Sequence, residues 1–147
     1  MTSCPWPVGR LLPHAAPMLL LDEVAAVDDA RAVAVALMRP DHPFAAPEGV
    51  PAHVGLELMA QTCGAWVGAR ALAAGEPVRL GFLLGTRHYQ SRVTWFAPGQ
   101  RLEITACVVL VDLGVGVFDC AIARDGEPLA TARLSLYQPQ QHEEMAR

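Results

Sequence analysis

Lysine is absent from these 147 residues, and all 11 basic side chains are arginine. Charge of either sign is sparse, at 18% of residues, and the net balance is −4. A general nucleic-acid-binding surface needs a basic excess, so none is expected. Disorder is not expected either, because apolar residues make up 52% of the chain. Cys4, Cys63, Cys107 and Cys120 form no Cys-x-x-Cys pair, which removes the usual zinc and redox motifs. Cys63, Cys107 and Cys120 sit in apolar runs, where cysteine acts as a small hydrophobe, and that usage suits a reducing cytoplasm.

Other absences narrow the field further. The opening Met1-Thr2-Ser3-Cys4-Pro5-Trp6-Pro7 has no basic start followed by an apolar run, so no secretory leader is expected. No stretch of 18 or more residues is uniformly apolar; the nearest, 58–74, contains Gln61 and Arg70, and no membrane span is expected. There is no Gly-rich phosphate loop, no Gly-x-Ser-x-Gly elbow and no His, Asp or Glu cluster at metal spacing. Neither a metal nor a cofactor is therefore expected.

What is present fits one compact domain over residues 1–147, with an irregular lead-in at 1–10 and a polar tail at 138–147. The apolar excess points to burial between subunits. Residues 18–27 and 31–39, either side of Asp28-Asp29, predict a hairpin. Residues 40–51 form a loop, because Pro40, Pro43, Pro47 and Pro51 forbid regular structure. From Ala52 to about Ala74 the pattern predicts a helix, about 34 Å long, stopped by Gly75 and Pro77. It is apolar almost all round and must be buried on most sides. Strands follow at 78–87, 91–96, 101–113, 115–124 and 128–137, with a bend near His88 to Gln90 and a hairpin turn at Asp125-Gly126. An antiparallel sheet curled around one long central helix is the α+β solution to this layout.

The few polar residues on the helix are aligned. His53, Glu57 and Gln61 recur every four residues and share one face, which Gly64 and Gly68 continue without a side chain. A carboxylate on a buried helix is costly unless paired or hydrogen-bonded. Glu57 is therefore either a carboxyl poised for acid–base work in an apolar pocket, or one satisfied by an arginine or by loop backbone. His42 lies on the proline-stiffened segment that leads into the helix. A base there could face a ligand held at the free N–H groups of the helix start. His53, one turn before Glu57, is an alternative base. His14 reads as structural.

These residues also carry a family resemblance. Leu12-Pro13-His14-Ala15-Ala16-Pro17-Met18-Leu19-Leu20-Leu21-Asp22 resembles the opening motif of the 3-hydroxyacyl-(acyl carrier protein) dehydratases. His42-Pro43-Phe44, Pro51 and Val54-Gly55-Leu56-Glu57-Leu58-Met59-Ala60-Gln61 resemble their active-site loop and central helix. The stretch from Gly81-Phe82 to Phe96 and Pro98-Gly99 is similar to their next strand pair. Leu56-Glu57-Leu58-Met59-Ala60-Gln61-Thr62 is most similar to the dehydratases of aryl-polyene-type polyketide clusters.

The resemblance implies a hotdog dimer, either a homodimer or a heterodimer with another hotdog subunit, in which His42 of one subunit meets Glu57 of the other. His42 would take the C2 proton of an acyl thioester carried on an acyl carrier protein, and Glu57 would protonate the departing C3 hydroxyl. The N–H of Ala52 would hold the thioester carbonyl, with Ala52, His53, Gly55 and Gln61 expected against the substrate. No cofactor is implied, since a base, an acid and an oxyanion site suffice. Three departures stand out. The family loop reads G-H-F-P where this chain has Asp41-His42-Pro43-Phe44. His42 lies 15 residues before Glu57, one more than the family spacing. Ala52 occupies the position of the family's oxyanion glycine. A hotdog acyl thioesterase, with His53 at work, or a non-catalytic subunit of a heterodimer are the alternatives. Arg70, Arg79, Arg87 and Arg92 are the candidates for docking an acidic carrier protein.

Overall fold

The strongest local signals lie in the last third of the chain. Asp125 and Gly126 both take positive φ, 49° and 80°, the pair of left-handed residues that a two-residue type I′ turn requires. Leu113 and Gly114 do the same at 49° and 83°. These turns join three long strands whose inward positions alternate with outward ones. Their inner faces supply Leu102, Ile104, Phe118, Ile122 and Leu134, all without exposed surface.

The computed structural model describes residues 2–79 and 81–139. In chain order the elements are β1 (Thr2–Ser3), α1 (Val8–Leu11), β2 (Glu23–Val27), β3 (Arg31–Leu37), β4 (Val50–Pro51), α2 (Gly55–Ala73), β5 (Phe82–Ser91), β6 (Trp95–Phe96), β7 (Arg101–Asp112), β8 (Val115–Arg124) and β9 (Glu127–Tyr137). Seven strands form one antiparallel sheet in the order β1-β2-β3-β7-β8-β9-β5. Register shifts at Val24/Ala26, Leu83/Gly85, Arg87/Gln90, Val108/Leu110 and Ile122/Ala123 interrupt the ladders. Such bulges sharpen the twist and let the sheet curl. α2 lies in the curl against β3, β7, β8 and β9, burying Leu58, Met59, Cys63 and Ala65.

The helix differs from the expectation at its start. Ala52–Val54 form a 3-10 turn, and the α-helix proper is the 19 residues of α2, about 28 Å. Its end is as expected: Gly75 at φ 75° carries the reversal, with Gly75 N–H on Leu72 O and Glu76 N–H on Ala71 O. The lead-in is more ordered than expected, since β1 pairs with β2 and α1 packs on α2. A β-carbon at Gly68 would collide with the Leu11 carbonyl, so the glycine face of α2 is where the chain from α1 crosses. β5 begins at Phe82 rather than 78, and the expected bend is a bulge within it, with His88 at φ 57°. Cys63 and Cys120 are buried with their sulfurs 3.5 Å apart, and burial pushes the Cys63 thiol well up. Of the polar tail, residues 140–147 lie outside the described residues. No helix among the described residues is long and apolar enough to cross a membrane.

Candidate active site

Segment 12–22 runs across the first half of α2, and Gln61 fastens it there. The Gln61 amide is 1% exposed. Its Oε1 accepts from Leu20 N–H at 2.9 Å, and its Nε2 donates to Met18 O at 2.8 Å and to Glu57 Oε1 at 3.0 Å. Both amide hydrogens are engaged, so the orientation is fixed. Glu57 is thereby held at Oε1, and Oε2 meets no partner among the described residues. Gln61, expected against the substrate, turns its polar atoms to Glu57 and the motif backbone and also lines the cavity beside them.

Glu57 itself is less enclosed than an apolar-pocket reading implies, with 42% of its side chain exposed in this chain. It borders a cavity of about 470 Å³ that runs along α2 past Ala60, Gly64 and Val67 to Ala71, with Phe118 and Leu136 among the residues on the sheet side. That volume and mainly apolar lining fit a small-molecule site. His14 lies on its rim, Nε2 3.8 Å from Glu57 Oε1, while its Nδ1 is buried without a partner among the described residues. Sequence reasoning passed over His14 as structural. The Leu-Pro-His motif was the available signal, but nothing in residue spacing ties position 14 to position 57.

The other expected site residues are placed as follows. His53 is exposed on the 3-10 turn, and no hydrogen bond joins it to Glu57 among the described residues. The turn winds more tightly than the α-helix that carries Glu57 and Gln61. The Ala52 N–H, expected to hold a carbonyl, donates instead to Thr94 O at 3.0 Å, and the Ala52 carbonyl accepts from the Tyr89 hydroxyl. Pairing of β4 with β6 brings Thr94 to this position. The next amide, His53 N–H, meets no acceptor among the described residues. Gly55 is buried, and a β-carbon there would meet Tyr89, Ile122 and Phe96, so the position is closely packed.

His42 does not border this cavity. Its Nδ1 accepts from Phe44 N–H at 3.1 Å, and its Nε2 is buried without a partner among the described residues. Burial lowers the pKa of the imidazole, against the opposing pull of the Asp22 and Asp41 carboxylates. Asp22, the last residue of the opening motif, accepts from Leu37 N–H at 2.6 Å and pairs with Arg39 at 2.8 Å. Of the arginines, Arg70 pairs with Asp29 at 2.9 Å and lies over Trp66, Arg79 borders the cavity, and Arg87 and Arg92 are exposed.

Comparison with known proteins bears on this arrangement. The family model described as ApeP-like, ApeP dehydratase, matches residues 6–147. A solved structure of the dehydratase heterocomplex ApeI:P from Xenorhabdus doucetiae is 35% identical, with a TM-score of 0.89 over 96% of each chain. A hypothetical thioesterase with coenzyme A from Streptococcus pneumoniae TIGR4 is 15% identical, with a TM-score of 0.62 over 80% of this chain and 88% of that one. The E. coli PaaI protein of the phenylacetic acid degradation operon is also 15% identical, with a TM-score of 0.61 over 78% and 81%. The last two share the fold alone. No curated protein matches. The architecture common to them is the hotdog fold, an antiparallel sheet wrapped around one long helix.

Proposed function

Because the chain belongs to the ApeP-like family of dehydratases, we propose that it removes water from a 3-hydroxyacyl thioester held on an acyl carrier protein. The product is the trans-2-enoyl thioester, formed in fatty acid or polyketide synthesis in the cytoplasm. The site lies between two hotdog subunits. An imidazole in the loop before one subunit's helix takes the C2 proton, electrons flow toward the thioester carbonyl, and the C3 hydroxyl leaves as water with a proton from Glu57. The observation that carries this reading is the built acid. Gln61 pins Glu57 through Oε1 and leaves Oε2 free to carry the transferred proton beside an apolar cavity.

Two further parts of the machinery follow from the geometry. Since Ala52 N–H is engaged by Thr94, the developing charge on the carbonyl is met by His53 N–H, the next amide at the helix start. The partner subunit docks on β5. It is the last strand of the sheet, ten residues long, and Phe82, Leu83 and Leu84 on it are 47, 46 and 58% exposed. An open edge with that much apolar surface is a template for another strand. The exposed Arg87 and Arg92 offer positive charge to an acidic carrier protein, whereas Arg70 is already held by Asp29.

The test is mass spectrometry of a 3-hydroxyacyl carrier protein incubated with the complex purified through a tag on this chain. Loss of one water with the thioester intact is expected. Release of the free acid, or no change of mass, would overturn the proposal.

A further inference from the structure

Resting on the dehydratase reading, we infer that His14 is a positioning residue for the carboxyl of Glu57. Its Nε2–H and the Gln61 amide face the same oxygen, Oε1, so the carboxyl proton is kept on Oε2, the oxygen that delivers it to the leaving hydroxyl.

The segment that carries His14 is fixed on both sides. Upstream, the Leu11 carbonyl lies so close to Gly68, and the Leu12 side chain to Gly64, that a β-carbon on either glycine would crowd it. Downstream, Gln61 holds Met18 O and Leu20 N–H, and Met18 N–H closes a turn onto Ala15 O at 2.9 Å. The same Gln61 amide that fastens the segment also reaches Glu57. His14 is thereby set on the cavity rim with Nε2 3.8 Å from Glu57 Oε1. That separation is longer than a hydrogen bond, and catalytic contacts of this length commonly shorten when substrate binds.

The position of the ring proton follows from the surroundings. Nδ1 is buried without a partner among the described residues. A proton there would be a buried donor with nothing to meet, and a bare Nε2 would turn its lone pair on a carboxylate oxygen. The proton therefore sits on Nε2, toward Oε1. A carboxylate oxygen offers about two lone-pair sites, and Gln61 Nε2 takes one of them at Oε1 from 3.0 Å. Gln61 alone leaves the second open to the carboxyl proton. With His14 donating to it, a proton has no place at Oε1. Oε2, which meets no partner among the described residues, is the oxygen left to carry it.

His14→Asn and His14→Gln separate positioning from packing. The amide nitrogen of glutamine reaches as far as imidazole Nε2, whereas that of asparagine stops at the Nδ1 position. In the complex purified through a tag on this chain, with a 3-hydroxyacyl carrier protein as substrate, His14→Asn is expected to lower kcat about 10-fold with KM within about twofold. His14→Gln is expected to recover kcat to within about threefold of the unaltered complex. Nitrogen–proton correlation spectra of that complex should show the His14 proton on Nε2 and a bare Nδ1. Unchanged kcat in His14→Asn, a loss carried by KM, equal losses in the two variants, or a proton on Nδ1 would each overturn the inference while leaving the reaction in place. A complex that never removes water overturns the dehydratase reading itself.

Discussion

Replacing Gln61 by leucine keeps the volume nearly constant and removes three hydrogen bonds at once. Leu20 N–H and Met18 O lose their partner in a place where Gln61 itself is 1% exposed. A buried backbone group left unpaired costs about 1–3 kcal/mol, so the two together cost roughly 2–6 kcal/mol. For a chain of this length each kcal/mol lowers the melting temperature by about 2–4 °C, which sets a minimum shift of about 4 °C. The third lost bond belongs to Glu57, 3.0 Å away. Its carboxyl then rotates freely, and a misplaced acid costs about 10- to 100-fold in kcat with KM little changed. Urea titration of the variant chain and steady-state dehydration by the complex measure the two effects separately. Gln61→Glu is the sharper companion: it can still accept from Leu20 N–H but sets a second acceptor against Met18 O and Glu57, so activity falls further. A Gln61→Leu chain with an unchanged urea midpoint, or one that loses activity through KM alone, would refute the clamp.

Three other outcomes are expected. His53→Ala leaves dehydration within about twofold, since its imidazole is exposed and joined to nothing at the site; loss of turnover would restore the imidazole as the base. Gly68→Ala destabilises the chain by about 1–3 kcal/mol in thermal melts, because the added carbon meets the rigid Leu11 carbonyl rather than a flexible side chain. His42 titrates lower when folded than the ordinary 6.5, with burial as the cause, so below that value the unfolded chain binds the extra proton first. Stability is therefore full above about pH 6.5 and declines as pH falls toward the folded value. The urea midpoint of His42→Gln should fall less between pH 7 and pH 5 than that of the unaltered chain.

What could be read from the sequence was what is local. β8 has the expected limits because alternating burial and the Asp125-Gly126 turn are properties of adjacent residues. The helix end was legible for the same reason, since Gly75 reverses the chain by itself. The helix start was not: Pro51 suits the first turn of either helix type, and residue identity does not separate a 3-10 turn from an α-helical one. Glu57 and Gln61 stood out as polar residues on an apolar helix, but the partners of Gln61 at Met18 and Leu20 are 43 and 41 positions away. Periodicity carries no information at that range, so these contacts were not legible in the sequence. Ala52 failed as a carbonyl donor for a related reason, because its N–H is taken by Thr94 across the short β4–β6 ribbon, a pairing that two-residue strands do not announce.

His42 shows the remaining gap, between having a functional group and aiming it. Residue type says that an imidazole is present; the direction of one hydrogen bond says which nitrogen can act. That direction follows from which of two neighbouring positions lacks an N–H, and in this chain Phe44 has one. Exchanging Pro43 and Phe44 in order would change neither composition nor hydropathy, yet it would remove the donor that holds Nδ1. The departure in the loop is thus a chemical difference and not a neutral rearrangement. It leaves Glu57 untouched, because that carboxylate is held by Gln61 on a separate element.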